Sequence, residues 1–282
     1  MTGADPLIDP TVRIRIDAEL DRIEREQEVR ILLAVESGSR AWRFASPDSD
    51  YDVRFIYVRP LEDYLSIQTP RDVIETPLDA TLDVNGWDLR KALQLMVKSN
   101  AVLLEWLVSP VQYRADQTVR DRLAALARTA ANLPALAFHY DRLACGAWAP
   151  DEAEDIRLKS YFYALRPALA LRWLRDRGEA PPMDLPSLMA GTDPALELTE
   201  AVGRLLAIKA RSDETVRVGR VPVIEAFLAT TLRDVAPPPR RWDFTDSRRQ
   251  ADELFRGILG QSDAVQIPNS AAPMRRNSEP SG

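Results

Sequence analysis

Residues 35–58 read VESGSRAWRFASPDSDYDVRFIYV, and their reading decides the fold. An apolar run from Val29 to Val35 ends in Glu36-Ser37-Gly38-Ser39; ten residues later Asp50-Tyr51-Asp52 opens a second apolar run to Val58. Gly38 lets backbone N–H groups come close to a phosphate, Ser39 adds a hydroxyl and Arg40 adds charge, the physics of other phosphate-cradling loops. Strand alternation puts Asp50 and Asp52 on one face and Tyr51 and Val53 on the other, so two carboxylates aim at one point. Such oxygens suit Mg²⁺ (or Mn²⁺), a hard ion that shares its shell with substrate phosphates. The stretch therefore predicts a metal-dependent nucleotidyl-transfer site.

Two plainer readings compete. Asp48, Asp50 and Asp52 match the first half of a calcium loop, but the sixth position, which should be Gly, is Val53, and the twelfth, which should be Glu, is Arg59. A polar turn that merely starts a strand would also use Ser-Pro-Asp-Ser-Asp. That turn does not explain the ordered set of strand, Gly-Ser, spacer, Asp-x-Asp and strand.

This set resembles the DNA polymerase β nucleotidyltransferase superfamily, and the longer string ESGSRAW-F-SPDSDYDVR-IY resembles the branch that includes the RNA-ligase-associated members of RNA repair pathways. Further matches are Gly86 to Leu93 (GWDLRKAL), Lys98-Ser99-Asn100, Leu104-Glu105-Trp106-Leu107 with Ser109-Pro110, and Lys159 to Pro167 (KSYFYALRP), so that the resemblance runs from about Val29 to about Val235. One departure is Arg43, where many members have Gly. It is expected to alter the helix after the Gly-Ser turn and to hinder close approach of substrate over that helix.

The chain has 282 residues with 45% hydrophobic content, enough for one large or two ordinary domains of a globular protein. Its apolar runs are strand-length and its start, MTGADPLIDP, has no signal-peptide pattern, so no membrane span and a cytoplasmic location are expected. The single cysteine, Cys145, cannot form an internal disulfide and reads as a packing residue. The single histidine, His139, excludes zinc sites and Ser-His triads built on imidazole partners, leaving carboxylates to carry the chemistry. With 37 basic against 43 acidic residues and a net charge of −6, any RNA contact must be local.

Val12, Ile16, Leu20 and Ile23 predict an amphipathic helix over 11–27. A strand follows over Val29 to Val35, then a short helix from Ser39 to Phe44, a strand from Asp52 to Val58 and another from Thr81 to Asn85. Helices are expected from Asp88 to Val97 and from Ala101 to Val108. Strands followed by helices give an α+β class: a sheet-and-helix catalytic domain over 1–115, which the resemblance implies is nucleotidyltransferase (polymerase β-like), then an all-helical domain over 116–235. Pro237-Pro238-Pro239 breaks the pattern, residues 236–259 read as a linker with a short helix from Ser247 to Leu259, and 260–282 has the composition of a disordered tail.

A third carboxylate usually completes such a site. Asp83, in Leu82-Asp83-Val84, resembles the superfamily's third carboxylate; Asp88 is the alternative, with helix capping as its rival role. In the second domain Lys159, Tyr163 and Arg166 share a helical face. They fit either a grip on a triphosphate and base, which the resemblance favours, or a solvated face ending at Arg166-Pro167. Arg90, Lys91 and Lys98 fit anion binding or plain exposure. The expected activity is transfer of a nucleoside monophosphate from an NTP such as ATP to a hydroxyl, with the catalytic and metal-binding roles on Asp50, Asp52 and Asp83, and with an RNA 3′ end as the acceptor the resemblance implies. A protein or small-molecule acceptor, or a non-catalytic RNA-binding or partner module on the same fold, are the alternatives.

Overall fold

Ile16, Leu20 and Ile23 form the buried face of α1 (Pro10–Gln27) in the computed structural model, which describes residues 8–77, 81–148, 154–232 and 243–263. Asp9 starts the helix by accepting the Thr11 and Val12 N–H groups, with Pro10 just inside, where its missing N–H costs nothing. The chain then runs through β1 (Arg30–Ser37), α2 (Gly38–Ala41), β2 (Tyr51–Val58), α3 (Leu61–Leu65), β3 (Val73–Glu75), β4 (Leu82–Asp88), α4 (Leu89–Val97), α5 (Ala101–Leu107), β5 (Gln112–Ala115) and α6 (Gln117–Ala130). The five strands form one sheet in the order β3-β4-β2-β1-β5, in which only β2 and β4 are parallel.

Each sheet face has its own cover. Val53, Phe55 and Tyr57 pack toward α1, while Ile56 and Val58 pack toward α4, α5 and α6. This alternation leaves Asp52 and Arg54 on the side covered by α4, α5 and α6 but at its open end. Gly86 is needed where it stands, because a methyl there would overlap the ring of Phe55, its register partner on β2.

The remainder holds α7 (Leu133–Ala147), β6 (Asp155–Arg157), α8 (Leu158–Arg177), α9 (Leu185–Thr192), α10 (Leu196–Lys209), β7 (Arg217–Gly219), α11 (Pro222–Thr231) and α12 (Thr245–Asp263). It is helical apart from the two-stranded ribbon of β6 and β7. Its core gathers around α8, and Phe44, sent over from the sheet-bearing half, stacks on Phe162 with ring centroids 5.1 Å apart. The α+β architecture with a following helical part is thus present.

Several expectations need correction. The helix carrying Arg166-Pro167 does not end there: α8 continues through Pro167 and stops at Gly178, in a left-handed conformation with φ 66°. The division at 115/116 does not follow the packing, since Val119 and Leu123 of α6 and Leu254 and Ile258 of α12 join the core under the sheet. Residues 245–259 are therefore a docked helix, because Ala251, Leu254 and Ile258 give it a buried stripe. The expected tail begins inside α12, and its residues 264–282, like Pro237-Pro238-Pro239, lie outside the described residues. Among the described residues no helix is long and apolar enough to cross a membrane.

Candidate active site

The parallel pairing of β2 with β4 sets Asp52 directly beside Asp83, and in-register neighbours present side chains to the same face. Between them lies Arg54, two residues along from Asp52 and so on its face. Arg54 Nη2 donates to Asp52 Oδ1 at 3.0 Å and to Asp83 Oδ2 at 2.6 Å, and Nη1 donates to the Asp83 carbonyl at 2.7 Å. Burial raises the Asp52 carboxyl above its ordinary range; Arg54 opposes this, while Asp83, Asp50 and Glu214 add to it. Sequence reading passed over Arg54, although the same alternation that picked out Asp52 marks it.

The Gly-Ser turn closes over this group. Ser37 is the register partner of Asp52, and Gly38, at φ 60°, lies so close that a side chain there would overlap the Asp52 carboxylate. Ser39 is buried in the short α2. Arg40 folds back: its Nε and Nη2 donate to the Asp50 and Ser49 carbonyls at 3.1 and 2.5 Å, and its guanidinium stacks 3.8 Å from the Tyr51 ring centroid. It therefore pins the loop that delivers Asp50. Arg43 takes φ 67°, a left-handed conformation, just past α2. The helix stops at Ala41, short of the expected Phe44, and position 43 favours glycine for backbone reasons.

Beneath the site Glu36 is fully buried, accepting the Asp52 N–H at 2.9 Å and the Tyr113 hydroxyl. Its carboxyl is pushed up to about 7, chiefly by burial, with those two hydrogen bonds opposing.

From the helical half, α8 brings Lys159 and Tyr163 to the same cleft. Lys159 Nζ lies 3.5 Å from Glu214, whose other oxygen accepts the Ser49 hydroxyl at 3.0 Å. The Tyr163 hydroxyl is raised first by burial and then by the negative charge of Glu214, Asp52 and Asp50. Glu214 and Lys209 were not singled out in the sequence. Lys209 is buried with its ammonium 2.8 Å from Ser46 Oγ, and burial lowers its pKa. Both come from the connection around the end of α10, where no periodicity marks a site.

Two expected site residues do not join. Arg166 is buried and binds Glu105 of α5 with contacts of 2.7 to 2.9 Å, its guanidinium stacked 4.3 Å from the Trp42 ring centroid. Helical spacing sets Arg166 on the side of α8 that carries Lys159 and Tyr163, but its side chain points into the core, where its role is structural. Asp88 pairs with Tyr57, not Asp52, five residues up β4 and about 17 Å from Asp83 at ~3.3 Å per residue. There it caps α4 through the Arg90 N–H at 2.7 Å and accepts the Tyr64 hydroxyl at 2.8 Å. Asp88 thus stands away from Asp52, in the role of a helix cap.

Among the described residues no three His, Cys, Asp or Glu side chains come together closely enough to hold an ion, and Arg54 already fills the space between Asp52 and Asp83. The donor chemistry of Asp50 and Asp52, hard oxygens gathered beside a glycine cradle, still fits a divalent cation.

Comparison with known proteins places the chain in a family. The model of the RNA repair pathway DNA polymerase beta family (RlaP) matches residues 12–257. An uncharacterized protein of Bacillus subtilis (strain 168), YcgL, is 44% identical over 252 residues, covering 89% of this chain and 96% of its own length. The crystal structure of a nucleotidyltransferase-like protein from Exiguobacterium sibiricum 255-15 aligns with 87% of this chain and 80% of its own, at 10% identity and a TM-score of 0.29.

Proposed function

The chain belongs to the RNA repair pathway DNA polymerase beta family, and from that membership we propose that it transfers a nucleoside monophosphate from an NTP to the 3′ hydroxyl of an RNA, releasing pyrophosphate. The observation that carries this reading is the β2–β4 register, which sets Asp52 against Asp83 under the Gly38 turn.

Each part of the cleft then has a task. The Gly38-Ser39 turn, without a Cβ in the way, admits the terminal phosphates to backbone N–H groups. Lys159 supplies a charge that exchanges Glu214 for a phosphate oxygen, and Tyr163 offers a ring edge to the nucleotide. Asp83, held by Arg54, faces the acceptor side of Asp52 and takes the proton of the attacking hydroxyl as its oxygen bonds to the α-phosphorus and the bond to pyrophosphate breaks. Mg²⁺ or Mn²⁺ on Asp50 and Asp52 would, when bound, neutralise phosphate charge and make the hydroxyl easier to ionise.

The test supplies each α-labelled NTP with single-stranded RNA, a protein mixture or small alcohols, in Mg²⁺ or Mn²⁺. Label on the RNA 3′ end, with stoichiometric pyrophosphate and loss of both in Asp52→Asn, is the expected result. Label on protein or a small molecule would change the acceptor; no pyrophosphate from any combination would end the reading.

A further inference from the structure

A groove of about 540 Å³ runs between α4 and α12, away from the cleft. Three cations, Arg90, Lys98 and Arg248, line it against one carboxylate, Asp252. In a chain whose acids outnumber its bases, this is a local reversal of sign.

The arginines are held by aromatic rings instead of acids. Arg90 lies 4.9 Å from the Tyr64 ring centroid and 5.6 Å from that of Phe255, and Arg248 lies 5.6 Å from that of Phe244. Among the described residues none of the three cations forms an ion pair within 4 Å, whereas the neighbouring Lys91 and Arg249 are each engaged with acids. Ring contacts orient a guanidinium without neutralising it, and although Arg90 Nη2 also donates to the Tyr64 carbonyl at 3.4 Å, its other N–H donors remain available to an anion.

We infer that this groove binds the phosphate backbone of a single RNA strand. Arg90 and Lys98 are eight residues apart along α4, roughly 12 Å at 1.5 Å per residue, so the charges are spread along a line that suits repeated phosphates better than one anion. A slot between two helices also suits a single strand better than a duplex. The choice of RNA rests on the acceptor proposed above. The groove starts at the Asp88 end of β4, so it serves the body of the strand and not its reacting end.

The experiment follows the anisotropy of a labelled single-stranded RNA with the full chain at two salt concentrations. Lys98→Ala/Arg248→Ala changes two exposed residues, and circular dichroism and melting check the fold. The expected result is binding at least about tenfold weaker and a salt slope shallower by about 1.4, two counterions at ~0.7 each, with NTP affinity unchanged. Unchanged RNA affinity and slope in the variant, or no RNA binding by the wild type, would overturn the proposal. So would equal competition by poly-aspartate, which would make the groove a face for an acidic protein, or displacement of RNA from it by free NTP. Pyrophosphate release is scored separately. RNA binding through the groove without release would sink only the transfer reading; label transfer without groove-dependent RNA binding would sink only this one.

Discussion

Gly38 and Asp52 are in contact: the carboxylate of Asp52 lies where a side chain on residue 38 would have to go. The same glycine has φ 60°, so both backbone and space require it. Replacing it with alanine would strain the turn by about 1 kcal/mol and push Asp52 away from Asp83. Gly38→Ala should therefore melt only slightly earlier than wild type yet transfer about a hundredfold more slowly, the scale of an ångström of misplacement. Paired melting and turnover measurements decide it, and activity lost only in proportion to the unfolded fraction would refute it.

Asp83 and Asp88 stand on one strand but have different surroundings, which separates their expected phenotypes. Asp83→Asn should lower turnover by at least about a hundredfold, since it removes the charge that faces Asp52 and holds Arg54. Asp88→Asn keeps a capping oxygen for the Arg90 N–H, so it should cost no more than about 1 kcal/mol and leave turnover nearly intact. Steady-state kinetics with a urea melt of each variant gives the comparison. The opposite ranking would return the third carboxylate to Asp88.

Much of this was legible in the chain because it follows from local rules. Glycine at Gly38 and the period of two through Asp52 specify a turn and a face without knowledge of the rest of the fold. Arg54 obeyed the same period but was passed over, because sequence reading seeks ligands and not the cation that balances them. Arg166 misled for a different reason: helical spacing fixes its face, but only the packing of α5 on the far side shows that Glu105 is waiting there. Lys98-Ser99-Asn100 and Leu104-Glu105-Trp106-Leu107 could be recognised as motifs, but not that Ser99 would meet Ala130 and Asn132 or that Glu105 would meet Arg166. Glu214 was invisible, since nothing in a turn between α10 and β7 says that it will meet Ser49. Local periodicity sets each side chain's direction, and long-range register decides what it meets.

Glu36 should leave a mark on stability against pH. Its folded pKa of about 7 lies above the ordinary 4.5, so between those values the native state binds more protons than the unfolded chain. Its contribution is fully present below about pH 4.5 and is lost as the pH rises through 7, an effect of about 3 kcal/mol across the window. Glu36→Gln cannot ionise and retains an oxygen for the Asp52 N–H. Urea melts from pH 4.5 to 7.5 without metal should show wild type losing stability relative to this variant as the pH rises; parallel curves would mean that Glu36 ionises normally.

The face of α8 that carries Lys159, Tyr163 and Arg166 should split in function along its length. Arg166 and Glu105 are buried, with side chains 3% and 9% exposed, so Arg166→Met would leave an unpaired carboxylate in the core at a cost of about 3 to 5 kcal/mol. Adding Glu105→Gln removes that charge, and the double variant should recover a good part of the loss. Lys159 is part-exposed and its pair with Glu214 is long, so Lys159→Ala should change stability by less than about 0.5 kcal/mol. It should instead weaken NTP binding by about 1 to 3 kcal/mol, the worth of a hydrogen bond to a charged group, and a little salt should reproduce part of the effect. Calorimetric titration with NTP, alongside melting of all three variants, separates the roles. An Arg166→Met protein as stable as wild type but unable to bind NTP would put that guanidinium back in the cleft, and an unaltered affinity in Lys159→Ala would leave the Glu214 pair as a structural contact within the helical half.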